Sequence, residues 1–263
     1  MQREFRYRYR SEHSVDAAGL QCHGDINRYT AGTEHPVSKV IEIIDLKLVL
    51  QGKTILKIPY FSLDREESIC LTGPNGAGKS TLLSVMATLQ EPTAGTVSLF
   101  GKNVKDQPLL ELRRRMAVVF QKPMMFDLTV IENLELGLKY RRLKRKEKET
   151  RIYPWLEKMK LTHLTKRRAR SLSGGEAQRV ALAQALILEP EIIFLDEPFA
   201  NLDKEMRQGL IDEIGKTLKA KKITTVMVTH HKKEAAAIAD SIYLMEDGEI
   251  VDREFLAFQN NPG

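Results

Sequence analysis

Cysteine is scarce in this chain, and long apolar runs are missing. Only Cys22 and Cys70 are present, and neither has the CxxC or Cys/His spacing of a metal site. We therefore expect no disulfide framework and no zinc module, and we expect both thiols to be reduced, as in a cytosolic protein. No segment approaches the roughly 18 uncharged apolar residues that a membrane-spanning helix needs. We expect a chain that does not cross a bilayer by itself.

Length and composition favour one folded unit with a basic surface. With 263 residues and 42% hydrophobic residues, the chain is long enough for one α/β core with an inserted subdomain. The net charge of +6 is compatible with a nucleic acid, a membrane surface or a solvated face. The excess lies in the first ten residues, in residues 139–151, and in the group Lys166, Arg167, Arg168 and Arg170.

The first 38 residues differ from the rest of the chain. They are polar, mix both charges, and show neither helical periodicity nor the apolar region of a secretory signal. We expect residues 1–38 to be a poorly ordered extension, because the globular pattern begins near Val40. A transit peptide is disfavoured by Glu4, Glu12 and Asp16, and an over-extended start is a further alternative.

The remaining pattern predicts a parallel-sheet core that is interrupted by helices. Short β-rich runs fill residues 40–71, and the last of them leads into a glycine-rich turn and a helix. The pattern is helical from about residue 122 to residue 187, with charges spaced three and four residues apart. Further strands are predicted at residues 96–100, 116–120, 192–195, 224–228 and 242–246.

Residues 73–80 match the phosphate-binding pattern G-x-x-x-x-G-K-[ST] at every fixed position, between a predicted strand and a helix. Glycines let backbone N–H groups converge on a phosphate, and the following helix N-terminus adds positive potential. We expect Lys79 to neutralise the β- and γ-phosphates, Ser80 to offer its hydroxyl to Mg²⁺, and Thr81 to bond a phosphate oxygen. The alternative is a glycine-rich turn with an incidental lysine. The predicted cradle consists of Gly73, Pro74, Asn75, Gly76, Ala77, Gly78, Lys79, Ser80 and Thr81.

Two adjacent carboxylates end the predicted buried strand that begins at residue 191. Since neighbours on a strand point to opposite sides, Asp196 and Glu197 should have different roles. Asp196 is suited to hold Mg²⁺ through its water shell, and Glu197 to orient and deprotonate an attacking water. The alternative is a solvated acidic turn.

Residues 172–179, LSGGEAQR, resemble the LSGGQ signature of ABC ATPases, with Glu176 in place of the glutamine. A serine hydroxyl and two glycine N–H groups at a helix N-terminus form an anion site, and these residues are Ser173, Gly174 and Gly175. In ABC proteins this second anion site serves the ATP that the partner subunit binds. The resemblance implies that one chain holds half of each catalytic site.

The resemblance covers about residues 40–252, and it implies further roles. Gln121 matches the Q-loop glutamine, which contacts Mg²⁺ and the water, and Asp203 matches the D-loop aspartate, which helps join two subunits. His230 matches the switch histidine at the γ-phosphate, with His231 as the alternative in this doublet. The implied fold is α/β, with a P-loop NTPase (RecA-like) core, an antiparallel β subdomain and a helical subdomain at about 122–187, all within an ABC ATPase domain of residues 39–263.

One position departs from the family pattern. Where the family usually stacks an aromatic ring on adenine, this sequence has Val49 and Leu50. Leu50 still offers an apolar contact, and we interpret Tyr60 and Phe61 as core residues. The group that stacks on adenine therefore stays open.

The resemblance also implies cofactors and partners: ATP and Mg²⁺, a second ATPase subunit in a homodimer, and a transmembrane permease. A coupling helix of the permease would enter a groove beside the Q-loop, where residues 122–126 offer exposed Met and Phe side chains. The alternative is that they form subdomain core. The basic residues 139–151 would face anionic lipid headgroups or simply solvent. We expect no nucleic acid partner, because the chain has neither two cassettes nor a long coiled-coil insertion.

Within the transporters, residues 118–141 and 172–186 look most like importers of oxyanions such as tungstate, molybdate and phosphate. That likeness implies an extracytoplasmic solute-binding protein in the assembled system and a peripheral position on the cytoplasmic face of the membrane. We expect no appended regulatory domain, since the sequence ends soon after His230. The alternatives are an exporter of lipids or drugs, and a soluble ABC regulatory protein without a permease.

Overall fold

The computed structural model describes residues 39–256, with the backbone alone at Lys204 and Glu205. The predicted N-terminal extension, residues 1–38, lies outside the described residues, as do Cys22 and residues 257–263. The strands are β1 (Lys39–Leu50), β2 (Lys53–Asp64), β3 (Ser68–Thr72), β4 (Ala94–Leu99), β5 (Lys102–Asn103), β6 (Met116–Val119), β7 (Ile192–Asp196), β8 (Thr224–Val228), β9 (Ser241–Glu246) and β10 (Glu249–Phe255). The helices are α1 (Lys79–Met86), α2 (Leu109–Arg114), α3 (Val130–Tyr140), α4 (Arg145–Lys158), α5 (Gly174–Ile187), α6 (Lys204–Ala220) and α7 (Lys232–Ile238).

Strands β2, β1, β4 and β5 form an antiparallel sheet in that order. Along β1 the buried side chains alternate, first Ile41 and Ile43, then Leu46 and Leu48. The alternation shifts by one residue at Asp45, whose φ of 49° accompanies a register shift against β4. This bulge keeps both halves of a long strand facing the same core.

The second sheet positions the functional loops. Its order is β10-β9-β3-β8-β7-β6, and β9, β3, β8, β7 and β6 run parallel. β7 and β8 are buried along almost their whole length, as expected for parallel strands covered on both faces. Because the carboxyl ends of parallel strands meet at one edge, the loops that follow β3, β8, β7 and β6 lie side by side.

The predicted helical insertion comprises α3, α4 and α5, with two short 3-10 turns at Thr162–Leu164 and Ala169–Ser171. Its beginning differs from the prediction, because no helix is assigned in residues 120–129. Thr129 ends this irregular segment by capping α3 in a capping box with Glu132. The segment after β6 is therefore a loop, which allows its side chains to reach the site.

The antiparallel strand β10 and the short strand β5 were not predicted. Phe61 is buried against Tyr243, but the core interpretation of Tyr60 is wrong, because its side chain is 43% exposed and meets Lys39. Cys70 is a free, buried thiol, and burial raises its pKa to about 12, so it stays protonated. Within residues 39–256, no helix is both long enough and apolar enough to traverse a membrane.

Candidate active site

The loop between β3 and α1 is shaped by three glycines with positive φ. Gly73, Gly76 and Gly78 have φ values of 136°, 85° and 94°, which side-chain-bearing residues rarely adopt. A Cβ on Gly73 would lie 2.1 Å from the carbonyl oxygen of Met245, so no larger residue fits there. Gly78 is the N-cap of α1, and the helix N-terminus is therefore presented to the loop without an obstructing side chain.

The ammonium group of Lys79 is bound by carbonyl groups of its own loop. Its Nζ donates to the carbonyl oxygens of Gly73 at 2.8 Å and Pro74 at 2.7 Å. These charge-assisted bonds hold the cation at the centre of the turn. A phosphate in the loop would meet a positive charge that the backbone has already positioned.

Ser80 and Asp196 form the pair on which a cation would be bound. The Ser80 hydroxyl donates to Asp196 Oδ1 at 3.0 Å. Burial raises the pKa of Asp196, and the neighbouring Glu197 adds to this, while Ser80 and Lys79 oppose it. The carboxylate is thus incompletely compensated, and an oxygen pair of this kind suits Mg²⁺.

The remaining ligands of such a cation would have to come from water and phosphate oxygens. Among residues 39–256, no cluster of three or more His, Cys, Asp or Glu side chains is arranged to hold a metal. Mg²⁺ usually keeps several waters and uses one or two carboxylates together with substrate phosphates. The donor set around Ser80 and Asp196 therefore fits Mg²⁺ that is brought in with a nucleotide.

Glu197 is held between two side chains from neighbouring loops. Its Oε2 accepts a hydrogen bond from Gln121 Nε2 at 3.1 Å, and its Oε1 lies 3.1 Å from His230 Nδ1. Glu197 also has a φ of 44°, an unfavourable value for this residue type. Its N–H donates to the Val228 carbonyl at 2.9 Å, which ties the strained turn to β8. Strain that is held by surrounding contacts is typical of functional sites.

Lys79, Ser80, Gln121, Asp196 and Glu197 line one polar cleft of about 400 Å³. The sheet order brings the glycine-rich loop after β3 beside the Asp196–Glu197 turn after β7 and Gln121 after β6. His230, after β8, reaches Glu197 from between them. The lining residues are Ile55, Asn75, Gly76, Gly78, Lys79, Ser80, Thr81, Gln121, Asp196, Glu197 and Val228.

The predicted second anion site lies at the N-terminus of α5, outside this cleft. Ser173 caps α5 by accepting from the N–H of Glu176, and the Glu176 carboxylate accepts from the N–H of Ser173. That contact with Ser173 lowers the pKa of Glu176. Gly175 packs closely under Asn201, where a Cβ would come within 3.0 Å of the Asn201 carbonyl oxygen. The structure therefore places Ser173, Gly174 and Gly175 away from the phosphate loop of the same chain.

Asp203 is the N-cap of α6, and its Oδ1 accepts from the N–H of Met206 at 2.9 Å. It too lies outside the residues that line the cleft. Of the predicted site residues, the glycine-rich loop, Gln121, Asp196, Glu197 and His230 thus come together. The signature residues and Asp203 do not line the cleft of their own chain.

The two residues of the histidine doublet have different surroundings. His230 contacts Glu197, whereas His231 occupies the N-cap position of α7 and its ring lies against the His230 ring, with centroids 3.8 Å apart. Sequence reasoning missed Ile55 in the cleft lining and Asn201, whose Nδ2 donates to the Gln121 carbonyl at 3.3 Å. Ile55 follows the glycine turn after β1, but an isolated apolar residue of β2 gives no signal that it faces a ligand.

No aromatic side chain is among the described residues that line the cleft. Leu50, at the end of β1, is 40% exposed. Ile55 is the apolar side chain that the cleft does contain. No aromatic ring in the described cleft lining therefore indicates where a nucleotide base would bind.

An apolar groove of about 440 Å³ adjoins the Gln121 loop, along the outer strand β6 and the side of α5. Met124 is 79% exposed and Phe126 is 58% exposed, while Met125 is partly buried against the core. The interpretation of these residues as subdomain core therefore fails for Met124 and Phe126. An exposed Met and Phe beside a groove are typical of adaptable contact surfaces.

The chain has clear relatives. A family model described as ABC transporter matches residues 56–200. The molybdate/tungstate import ATP-binding protein WtpC of Thermococcus kodakarensis is 39% identical over 192 residues, which are 73% of this chain and 58% of WtpC. The spermidine/putrescine import ATP-binding protein PotA of Clostridium novyi is 35% identical over 212 residues, which are 80% of this chain and 60% of PotA. The chain thus spans little more than half the length of these relatives.

Solved structures show the same fold. A dimeric ATP-binding cassette in a post-hydrolysis state, bound to ADP and Pi, superposes with a TM-score of 0.75 at 28% identity. The match covers 82% of this chain and 99% of that one.

Proposed function

The chain belongs to the ABC transporter family and carries its ATP-hydrolysing domain, with the P-loop fold. We propose that it is the ATP-binding subunit of a transporter whose permease is a separate chain. In this role, ATP closes two copies of the subunit on each other and hydrolysis releases them. The observation that carries the proposal is the contact chain from Gln121 through Glu197 to His230, set beside the phosphate loop.

In the bound state, the loop N–H groups and Lys79 hold the phosphates of ATP. Ser80 and Asp196 would hold Mg²⁺, and this ion would supply positive charge that neutralises the phosphate oxygens. The ammonium of Lys79 then exchanges its contacts with the Gly73 and Pro74 carbonyls for phosphate oxygens. Binding therefore replaces one set of charge-assisted bonds by a stronger set.

For hydrolysis, Glu197 orients the attacking water and takes its proton. Gln121 and His230 both contact the Glu197 carboxylate, and they fix its orientation before the nucleotide arrives. The His230 side chain is 58% exposed, so it has room to turn from Glu197 to the γ-phosphate. Positioning of this kind is the main source of catalysis in phosphoryl transfer.

The signature surface is proposed to complete the site of a second copy. Ser173, Gly174 and Gly175 lie outside their own chain's cleft, at the N-terminus of the fourteen-residue helix α5. A helix N-terminus attracts phosphate, and the structural relative described above is itself a dimer. Asp203 would lie at the junction of the two copies, which makes a homodimer the expected assembly.

The permease is proposed to dock in the groove beside Gln121. Met124 and Phe126 are exposed there, and the groove leads directly to a residue that contacts Glu197. A helix laid into this groove would therefore sense the catalytic carboxylate through one side chain. The subunit would then be peripheral, on the cytoplasmic face of the membrane, with residues 139–151 adding a basic surface.

Import of an oxyanion such as molybdate, tungstate or phosphate is the proposed task, together with a solute-binding protein outside the membrane. The 39% identity to WtpC supports it. PotA, at 35% identity, favours a polyamine as the second candidate. An exporter and a soluble regulatory protein are the other outcomes that the following experiment separates.

The test is to capture Glu197→Gln protein, loaded with ATP, from gently solubilised membranes and to identify its companions by mass spectrometry. A permease should be recovered, and Phe126→Glu in the same background should lose it. Val251→Glu is the matched control, because Val251 is 50% exposed on β10, at the opposite edge of the sheet. Recovery of soluble partners alone would refute the transporter assignment, and a permease of exporter type would refute import.

A further inference from the structure

A charged network that is buried at Glu234 and Thr229 lies beside His230 and has no part in the mechanism above. We infer that Glu234, Thr229 and Arg207 position His230 and connect it to the subunit interface through α6. The inference rests on the proposed function, because it assigns these residues to the hydrolysis step. None of the three lines the phosphate cleft, so each would act through His230.

Glu234 is a carboxylate that the fold has taken almost completely out of water. It is 2% exposed on α7. Its Oε2 accepts from the Thr229 hydroxyl, and its Oε1 accepts from both Nε and Nη2 of Arg207, the former at 3.0 Å. Burying an ion pair brings little net stability over an apolar pair of the same shape. Stability alone is therefore a weak reason for a charge at this position.

Thr229 carries the contact to the backbone on both sides of His230. It follows β8 directly and is 2% exposed. Its hydroxyl donates to Glu234, and its Oγ1 accepts from the N–H of His231 at 3.1 Å. The peptide segment 229–231 is thus pinned before and after His230.

This matters because few contacts hold the His230 side chain. It is 58% exposed, its ring packs against His231, and it makes a polar contact with Glu197. An exposed side chain is aimed by its backbone, and a displacement of about 1 Å costs about 100-fold in rate where positioning is the source of catalysis. Pinning residues 229–231 therefore fixes the distance between His230 and Glu197.

Arg207 extends the network to the surface proposed to meet the second copy. It lies one turn after Asp203 on α6, and its N–H donates to the Asp203 carbonyl at 3.0 Å. A shift of the α6 N-terminus when two copies close would move Arg207, then Glu234 and Thr229. His230 would thus respond to closure at Asp203 as well as to the nucleotide.

The test compares Thr229→Val, which removes the hydroxyl at nearly constant shape, with Thr229→Ser, which keeps it. We expect Thr229→Val to lower kcat by about 10- to 100-fold while the equilibrium Kd for ATP changes less than about threefold. Thr229→Ser should recover most of the turnover. Glu67→Gln is the matched control: it breaks another Arg–Glu pair, with Arg253, at the opposite end of β3, and should leave kcat unchanged.

A cycle with His230→Ala separates positioning from a general structural role. If Thr229 acts through His230, Thr229→Val should have no further effect on the residual turnover of His230→Ala, measured with radiolabelled ATP. An equal loss in both backgrounds would overturn the inference, as would a Thr229→Val protein with wild-type turnover. Glu234→Gln breaks the same contact from the other side and gives the same comparison if Thr229→Val does not fold. If His230→Ala itself kept full turnover, the proposed function of this site would fail instead.

Discussion

Replacing Asp196 with asparagine should stabilise the nucleotide-free protein. Burial raises the pKa of the Asp196 carboxyl, so its ionised form is disfavoured in the folded state. Removing such a charge is a typical stabilising change of about 0.5–2 kcal/mol, and for a folded unit of this size each kcal/mol shifts Tm by about 2–4 °C. We therefore expect Tm to rise by about 1–8 °C at neutral pH.

The pH dependence of this difference has a definite sign. A carboxyl whose pKa is raised on folding costs stability as the pH rises from its unfolded pKa through its folded pKa. The advantage of Asp196→Asn should therefore be full near neutrality and shrink as the pH falls through the folded pKa toward the unfolded pKa of about 4. It should vanish well below that value, where Asp196 is protonated in both states. Thermal melts followed by circular dichroism across this range measure it.

Glu191→Gln is the matched control. Glu191 lies just before the same strand, and its substitution should change Tm in the opposite direction. Its hydrogen bond with Arg115, aided by Arg65, lowers the pKa of Glu191. That pairing stabilises the fold above the unfolded pKa and is lost as the pH falls, so Glu191→Gln should lower Tm near neutrality and have little effect in acid.

With Mg-ATP bound, the wild type should melt at a higher temperature than Asp196→Asn. At about 100 times Kd, the ligand stabilises the wild type by about 2.7 kcal/mol, and Asp196→Asn should lose most of this shift because the cation loses its carboxylate. If Asp196→Asn kept the full Mg-ATP shift, the assignment of Asp196 as the cation ligand would be refuted. If it melted below the wild type without nucleotide, the cost assigned to burying the Asp196 carboxylate would be refuted instead.

Two other substitutions separate the two anion sites. Lys79→Ala should raise the Kd for ATP by about 10- to 100-fold in equilibrium titration. This loss is smaller than the roughly 4 kcal/mol of a close charge pair, because the cleft is open to solvent. Wild-type affinity would contradict the phosphate cradle. Ser173→Ala should lower turnover but leave the ATP affinity of the separated monomer unchanged, because Ser173 lies outside the cleft of its own chain. Weaker ATP binding by the monomer would contradict the proposal that Ser173 acts on the ATP of the second copy.

Much of the fold was predictable because its local patterns are strong. The alternating residues of β1, the apolar runs of β7 and β8 and the glycine-rich turn before α1 all have signatures that tertiary context does not override. β10 escaped prediction because its sequence EIVDREF is largely exposed and charged, as an edge strand tends to be. Tyr60 was misjudged because the face of a strand residue depends on where neighbouring strands and Lys39 lie.

The site was predictable residue by residue but not as a set of contacts. The phosphate-loop pattern is identified by its spacing, the carboxylate pair is interpreted together with that loop, and the signature is recognised by its resemblance to the ABC family. The contact of His230 with Glu197, and that of Arg207 with Glu234, join residues that are 33 and 27 positions apart. Such pairs depend on the sheet order, which the sequence pattern did not predict strand by strand.

In the proposed function, ATP binds between two copies of this chain and Glu197 ends the bound state by hydrolysis. The direct test is to measure the mass of Glu197→Gln in solution by light scattering, with and without Mg-ATP, beside the wild type. The account predicts a monomer without nucleotide, a lasting dimer with Mg-ATP, and no phosphate release. A protein that binds ATP yet stays monomeric, or that still hydrolyses ATP at the wild-type rate, would contradict it.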